Sequence, residues 1–164
     1  MKPGMNFEEL LDYTEAETHQ WQKWLERHPE TLAVSAGIAG EEDVAGLVVH
    51  IFAAELRYAE RLLGLPITPY EELQRGDLSR VFSIGSDARG KLRQFLKNAN
   101  KKQMEETLSF ETRTAGTLTA SRRKIVMHTL MHGVRHWAQI ATALRKAGYK
   151  QDWQHDFIFT EIMP

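Results

Sequence analysis

An amphipathic helix cannot stand alone in water, and this chain begins with one. From about Asn6 to Arg27, the residues Phe7, Leu10, Leu11, Thr14, Thr18, Trp21 and Leu25 recur at three- and four-residue steps, with Glu8, Glu9, Asp12, Glu15 and Glu17 between them. One face is apolar and needs partners. The acids crowd the first half, where the positive end of the helix dipole favours them. Pro29 and the Gly37–Gly40 region then interrupt the pattern.

The same need for partners recurs along the chain. A second helix is predicted from Asp43, as N-cap, to Leu63, with Gly64 as its stop and Pro66 just beyond. Val44, Val48, Ile51, Phe52, Ala59 and Leu62 make its apolar face. Glu55 falls in the middle of that face and His50 towards its edge, two polar residues that packing alone would not choose. Pro66 to Asp77 reads as a loop with one short helical turn, and Ser86 can cap a third helix over Asp87 to Asn98, with Gly90 weakening its start. Leu108, Phe110 and Thr112 then alternate with polar residues, and Thr117 to Thr119 can return after a Thr114-Ala115-Gly116 turn, giving a small β-hairpin. A last long helix runs from Ser121 to Ala147 and stops at Gly148. The tail carries Trp153, Phe157, Ile158 and Phe159, which are expected to pack on the body. Four such faces can satisfy one another. The expected fold is all-α: a single-domain four-helix bundle over residues 1–164, a small β-hairpin before the last helix, and crossover connections through the long loops at Pro29–Glu42 and Gly64–Ser86.

Composition removes several function classes. At 42% apolar residues the 164-residue chain can build a packed core. Lys plus Arg number 21 against 22 Asp plus Glu, so no basic excess is available to grip nucleic acid. The short Arg122-Arg123-Lys124 and Lys101-Lys102 runs read as solvated helix-end charges. With no cysteine there is no disulfide, no thiolate metal site and no cysteine nucleophile, so any sulfur chemistry needs a thiol from outside. No apolar run reaches 18 residues, so no membrane span is expected. Two acids appear by Glu9, before any signal-peptide core could form, and a cytoplasmic location is expected.

The informative motif is His128-Thr-Leu-Met-His132-Gly-Val-Arg-His136, three histidines at successive four-residue steps on the last helix. With 7 histidines in 164 residues, random placement gives one such pair roughly 0.3 times and two consecutive steps roughly 0.01 times. Two imidazoles at i and i+4 can reach one metal ion. No acid lies inside the motif, so the zinc-protease reading fails at its general base. A third ligand must come from a facing helix. His50 is the other histidine deep within an apolar helical pattern; His19 sits off its stripe, His28 abuts Pro29, and His155 lies in the tail. The ordinary alternative is that these histidines are satisfied by hydrogen bonds. Gln139, one turn past His136, either supports a ligand or is solvated. Glu55 either accepts from a ligand imidazole's far N–H or forms a buried ion pair with an Arg such as Arg57 or Arg61. Trp21 and Trp137 read as core.

Taken in order, these features resemble the DinB family. The resemblance rests on His50-Ile-Phe-Ala-Ala-Glu55, then a middle segment and hairpin, then the histidine helix through Gln139 to Leu144-Arg-Lys-Ala-Gly148, and a closing Asp156-Phe157-Ile158. It covers roughly Phe7 to Gly148. It implies that His50, His132 and His136 bind a divalent metal, zinc first, with nickel, iron or manganese as alternatives, and that His128 stands beside the metal. It also implies an open site and a bundle that is often a homodimer. Relatives include metal-dependent transferases and isomerases that use low-molecular-weight thiols. Where the family commonly has His-Arg-Gly-Gln, this chain has His136-Trp137-Ala138-Gln139; the ligand and Gln are kept, the Arg and Gly are not.

The chemistry of three neutral imidazoles follows independently. They leave the ion's charge uncompensated, so a bound water is acidified towards neutrality and a thiol of pKa about 8.5 becomes thiolate. Both a thiol-dependent S-transferase acting on a small-molecule substrate and a metal-dependent hydrolase fit. So does a stress-related metal-binding bundle without turnover. The aromatic content of the first helix (Trp21, Trp24) and of the tail points to a two-fold dimer.

Overall fold

Local capping chemistry sets the helices. In the computed structural model, which describes residues 5–38, 40–74, 76–112 and 116–162, Asn6 caps α1 (Phe7–Arg27) through a reciprocal capping box with Glu9. Asp43 caps α2 (Val44–Leu63), accepting from the Gly46 N–H, and Gly64 ends it in the left-handed conformation at φ 68°. A single turn, α3 (Tyr70–Leu73), sits in the following connection, as expected. Asp77 caps α4 (Leu78–Asn98), a short α5 (Lys101–Glu105) follows, and Ser121 caps α6 (Arg122–Lys146).

Two antiparallel hairpins complete the fold. Strands β3 (Thr107–Thr112) and β4 (Gly116–Ser121) pair Leu108 with Ala120 and Phe110 with Leu118. This is the expected hairpin; Thr114 and Ala115 of its turn lie outside the described residues. The second, β1 (Ser35–Ile38) with β2 (Glu41–Asp43), lies where the sequence showed only an interruption.

One boundary needs correction. The third long helix begins at Leu78, not at Asp87, and Ser86 is interior to it. Packing decides this: Val81 and Phe82 are buried, and a Cβ on Gly85 would lie 2.5 Å from the Phe52 ring. Gly85 is therefore where α4 closes on α2, and not a helix stop.

The helices form a four-helix bundle with crossovers. One apolar cluster joins Trp21, Trp24 and Leu25 of α1 to Val48 and Phe52 of α2, Phe82 of α4 and Trp137 and Ile140 of α6. The other joins Leu11, Leu62, Leu92, Phe95, Val126 and Leu130. Hence α1 and α6 run one way, and α2 and α4 the other. Residues 64–77 must return the length of the bundle, with Leu73 packed against Ala53, Leu56 and Ala88. Between the two clusters lies a belt of buried polar residues: Thr14 and Thr18 of α1, Glu55 of α2, Arg89 of α4, and Thr129 and His136 of α6.

The tail docks in part. Glu17 accepts from Trp21 Nε1 at 2.9 Å, Trp153 Nε1 at 3.1 Å and His155 Nδ1 at 2.6 Å, and Phe157 meets the Tyr13 ring edge-on. Ile158 and Phe159 stay outside, at 82% and 63% exposure. Trp21 and Trp24 are buried, Trp21 stacked on Trp137 at 5.1 Å. They belong to this chain's own core and offer no face to a second copy.

Candidate metal centre

The site forms where α2 and α6 face one another at the level of the polar belt. His50, 28% exposed at its side chain, points from α2 towards His132 and His136, which lie one turn apart on α6. His50 Nε2 lies 3.1 Å from His132 Nε2, and His136 Nε2 lies 3.1 Å from the same atom. The His50 and His136 ring centroids are 4.9 Å apart. Ligand atoms of all three fall within 4.8 Å of one another, a group that could hold a metal ion. Nitrogens bonded to one ion at about 2.0–2.1 Å sit about 2.8–3.4 Å apart when the bond angles lie between octahedral and tetrahedral values. The two separations at His132 Nε2 fall in that range.

Proton accounting makes the case stronger. His50 Nδ1 lies 3.2 Å from Glu41 Oε1 on β2, and a carboxylate at that distance favours a proton on that nitrogen. His136 Nδ1 lies 2.6 Å from Gln139 Oε1, which places that proton on Nδ1 too. With both protons on Nδ1, the two Nε2 lone pairs face His132. That ring has one proton to give when neutral. Placed on Nε2 it serves one lone pair and leaves the other opposed; placed on Nδ1 it is buried with no hydrogen-bond partner among the described residues. A cation at the point of convergence satisfies all three nitrogens at once. The imidazoles fit a metal.

Their protonation agrees. Burial, then the neighbouring His136, His50, His128 and Arg135, lowers the pKa of His132 to about 3. Burial is also the main force lowering His136, with Gln139 acting in the opposite direction. Neutral imidazoles are the form that ligates.

The remaining expected residues take distinct places. His128 is exposed, its ring 5.6 Å from that of His132 and edge-on to Tyr58 at 5.3 Å, outside the converging group. Partial desolvation of the ring against its neighbours, then the charges of Arg135 and Lys124, lowers its pKa. Gln139 supports His136. Glu55 forms a buried ion pair, with Arg89 of α4 at 3.2 Å in place of Arg57 or Arg61. Its Oε1 would lie 2.9 Å from a Cβ at Gly133, so the absence of a side chain between the two α6 histidines makes room for it.

Glu41 was not anticipated. It sits nine residues before His50, brought back by the β1–β2 hairpin, with Gly46 leaving space for it: a Cβ there would be 3.2 Å from Glu41 Oε2. Only the Glu41-Glu42-Asp43 run ahead of the helix hinted at it.

From His50 and His132 a cleft of about 460 Å³ runs between α2 and α6 and under the β3–β4 hairpin. Tyr58, His128, Phe110, Leu118, Arg57, Arg61 and Lys124 are among the residues that line it. No helix among the described residues is long and apolar enough to cross a membrane. The family model described as the DinB family matches residues 1–161. No curated protein matches the chain.

Proposed function

The chain belongs to the DinB family, and we propose that it is a metal-dependent enzyme that transfers a low-molecular-weight thiol onto a small-molecule electrophile. His50, His132 and His136 would hold one divalent ion, zinc by preference, since three neutral nitrogens with an open position suit it and also accept nickel or iron. The single observation that carries this reading is the convergence of three imidazoles on one point, beside a cleft of substrate size.

When bound, the ion supplies positive charge that favours the ionised form of a thiol. The chain's own residues do the rest. Glu41 and Gln139 fix the tautomer and orientation of His50 and His136. Burial keeps His132 unprotonated, so that its nitrogen is available for ligation. Phe110 and Leu118 of the hairpin give the cleft an apolar wall for the substrate's body. The chain has no cysteine, so the sulfur comes from the cosubstrate. In the transfer a C–S bond forms as the bond to the leaving group breaks. The leaving group takes the electron pair, and the thiol proton passes to it or to solvent.

Elemental analysis of protein purified without an affinity tag or chelator tests the first half of this reading, with one divalent ion per chain expected. Thiol consumption by the loaded protein, across a panel of thiols and electrophiles, tests the second half. Chelation should remove that activity and leave the helical circular dichroism signal, because the core is apolar and not metal-nucleated. Bound metal without thiol consumption would make this a metal-binding bundle or a hydrolase. Unfolding by the chelator would make the ion structural.

A further inference from the structure

The cleft is not uniform. At one end stand the imidazoles; away from them, apolar surface from Tyr58, Phe110 and Leu118 is interleaved with three cations, Arg57, Arg61 and Lys124. Along α2, Arg57 and Arg61 lie seven and eleven residues past His50, and along the opposed α6 Lys124 lies eight residues before His132. At 1.5 Å per residue, the cations begin about 10–12 Å from the triad along the helix axes.

None of the three has a carboxylate partner among the described residues, although acids are near. Glu60 is taken by Thr68, accepting from its N–H at 2.9 Å and its hydroxyl at 2.6 Å. Glu55 is taken by Arg89. Glu111, the acid on the cleft wall, accepts from the Thr117 hydroxyl. Arg61 is held in place by packing: its guanidinium lies 4.9 Å from the Phe110 ring centroid and 5.6 Å from that of Tyr58, and it donates to the Arg57 carbonyl. Among the described residues, three cations thus share the cleft with one lining carboxylate, Glu111, and none of the three is ion-paired to it. Burial first, then the Arg57 charge, lowers the pKa of Arg61, while Tyr58 and Glu60 act in the opposite direction.

We infer that the part of the cleft away from the imidazoles is an anion subsite, in which Arg57, Arg61 and Lys124 receive the acidic group of an elongated small molecule whose apolar body lies on Tyr58, Phe110 and Leu118. That the molecule's other end reaches the triad rests on the metal reading above; the anion subsite itself does not. The acidic group is a carboxylate, sulfonate or phosphate, and a guanidinium pair with an ammonium suits each.

The test uses the full chain and known probes. 4-Phenylbutanoate, 3-phenylpropylphosphonate and the neutral 4-phenylbutanamide are titrated into metal-free protein, followed by amide NMR shifts and calorimetry. The acids should bind saturably, with shifts confined to the cleft, at least tenfold more tightly than the amide, and the better acid identifies the anion preferred. Binding should weaken with salt, and Arg57→Gln, Arg61→Gln and Lys124→Gln combined should weaken it at least tenfold. Equal affinity for acid and amide overturns the subsite without needing any variant. So does undiminished acid binding by a triple variant whose circular dichroism is native, or acid binding mapped elsewhere. A separate arm compares 6-mercaptohexanoate with 6-hydroxyhexanoate on zinc-loaded protein. Loss of preference for the thiol there defeats the metal reading and leaves the acid–amide comparison standing.

Discussion

Arg89→Met is expected to be the most damaging single substitution in the polar belt. Arg89 and Glu55 are 3% and 1% exposed, and their 3.2 Å contact is the one hydrogen bond seen for either side chain among the described residues. Glu55 Oε2 and Arg89 Nε have none. Removing the arginine strands a buried carboxylate, a loss of about 3–5 kcal/mol. For a chain of this size that corresponds to a fall in Tm of about 6–20 °C. Burial already raises the Glu55 pKa, against the lowering effect of Arg89. A carboxyl whose folded pKa lies above its unfolded value contributes stability below the unfolded pKa, and that contribution fades as pH rises towards the folded pKa. Without Arg89 the folded pKa rises further, so the deficit against wild type should be small near pH 4.5 and grow above it. Urea denaturation of wild type, Arg89→Met, Glu55→Leu and the double variant, at several pH values, measures this. The double variant should be more stable than Arg89→Met alone, because the stranded charge is gone. A loss in Arg89→Met below about 1 kcal/mol, independent of pH, would show that the pair is solvated and the argument wrong.

Three further outcomes follow from the triad. His132→Ala should abolish metal binding measured by calorimetry, whereas His128→Gln should weaken it modestly; equal losses would put His128 on the ion. Glu41→Ala should lower metal affinity by about 10- to 100-fold by freeing the His50 ring, and unchanged affinity would remove Glu41 from the site. In metal-free protein His132 has a depressed pKa, so its contribution to stability is present above about pH 6.5 and is lost as pH falls from there towards about 3. The urea midpoint should therefore decline over that window in wild type more steeply than in His132→Ala, and parallel curves would contradict the buried, neutral assignment.

Which features were legible depended on how local their cause is. Asn6, Asp43 and Ser121 cap helices with their own side chains, so the starts of α1, α2 and α6 could be read from sequence. The start of α4 could not, because Gly85 and Ser86 imitate a terminus and the close approach to Phe52 that explains the glycine is tertiary. The β1–β2 hairpin, with strands of four and three residues around Gly37 and Gly40, carries too few side chains to show alternation. His132 and His136 are legible from helical spacing alone. His50 needed the apolar face of its helix and the family resemblance. Glu41 was beyond reach, because its role exists only once the hairpin has folded back. Arg57, Arg61 and Lys124 were read one at a time, as ion-pair or helix-end charges; their grouping is a product of the antiparallel packing of α2 on α6.

That packing also explains why the site can exist in so small a bundle. Burying Glu55, Arg89, Thr129 and His136 in one layer interrupts the apolar core, and on each side a complete cluster of large residues remains. Trp21, Phe52, Trp137 and Ile140 close one end; Leu11, Leu62, Leu92 and Leu130 close the other. Each helix is therefore anchored on both sides of the polar layer, so the imidazoles are held by apolar packing and do not depend on a metal to bring them together. The layer is polar where α2 faces α4 as well as where it faces α6. On the α4 side the charges are paired internally, as Glu55 with Arg89. On the α6 side the imidazoles turn towards each other as a group that could hold a metal ion. This asymmetry, within one layer of one bundle, separates the structural ion pair from the candidate metal centre.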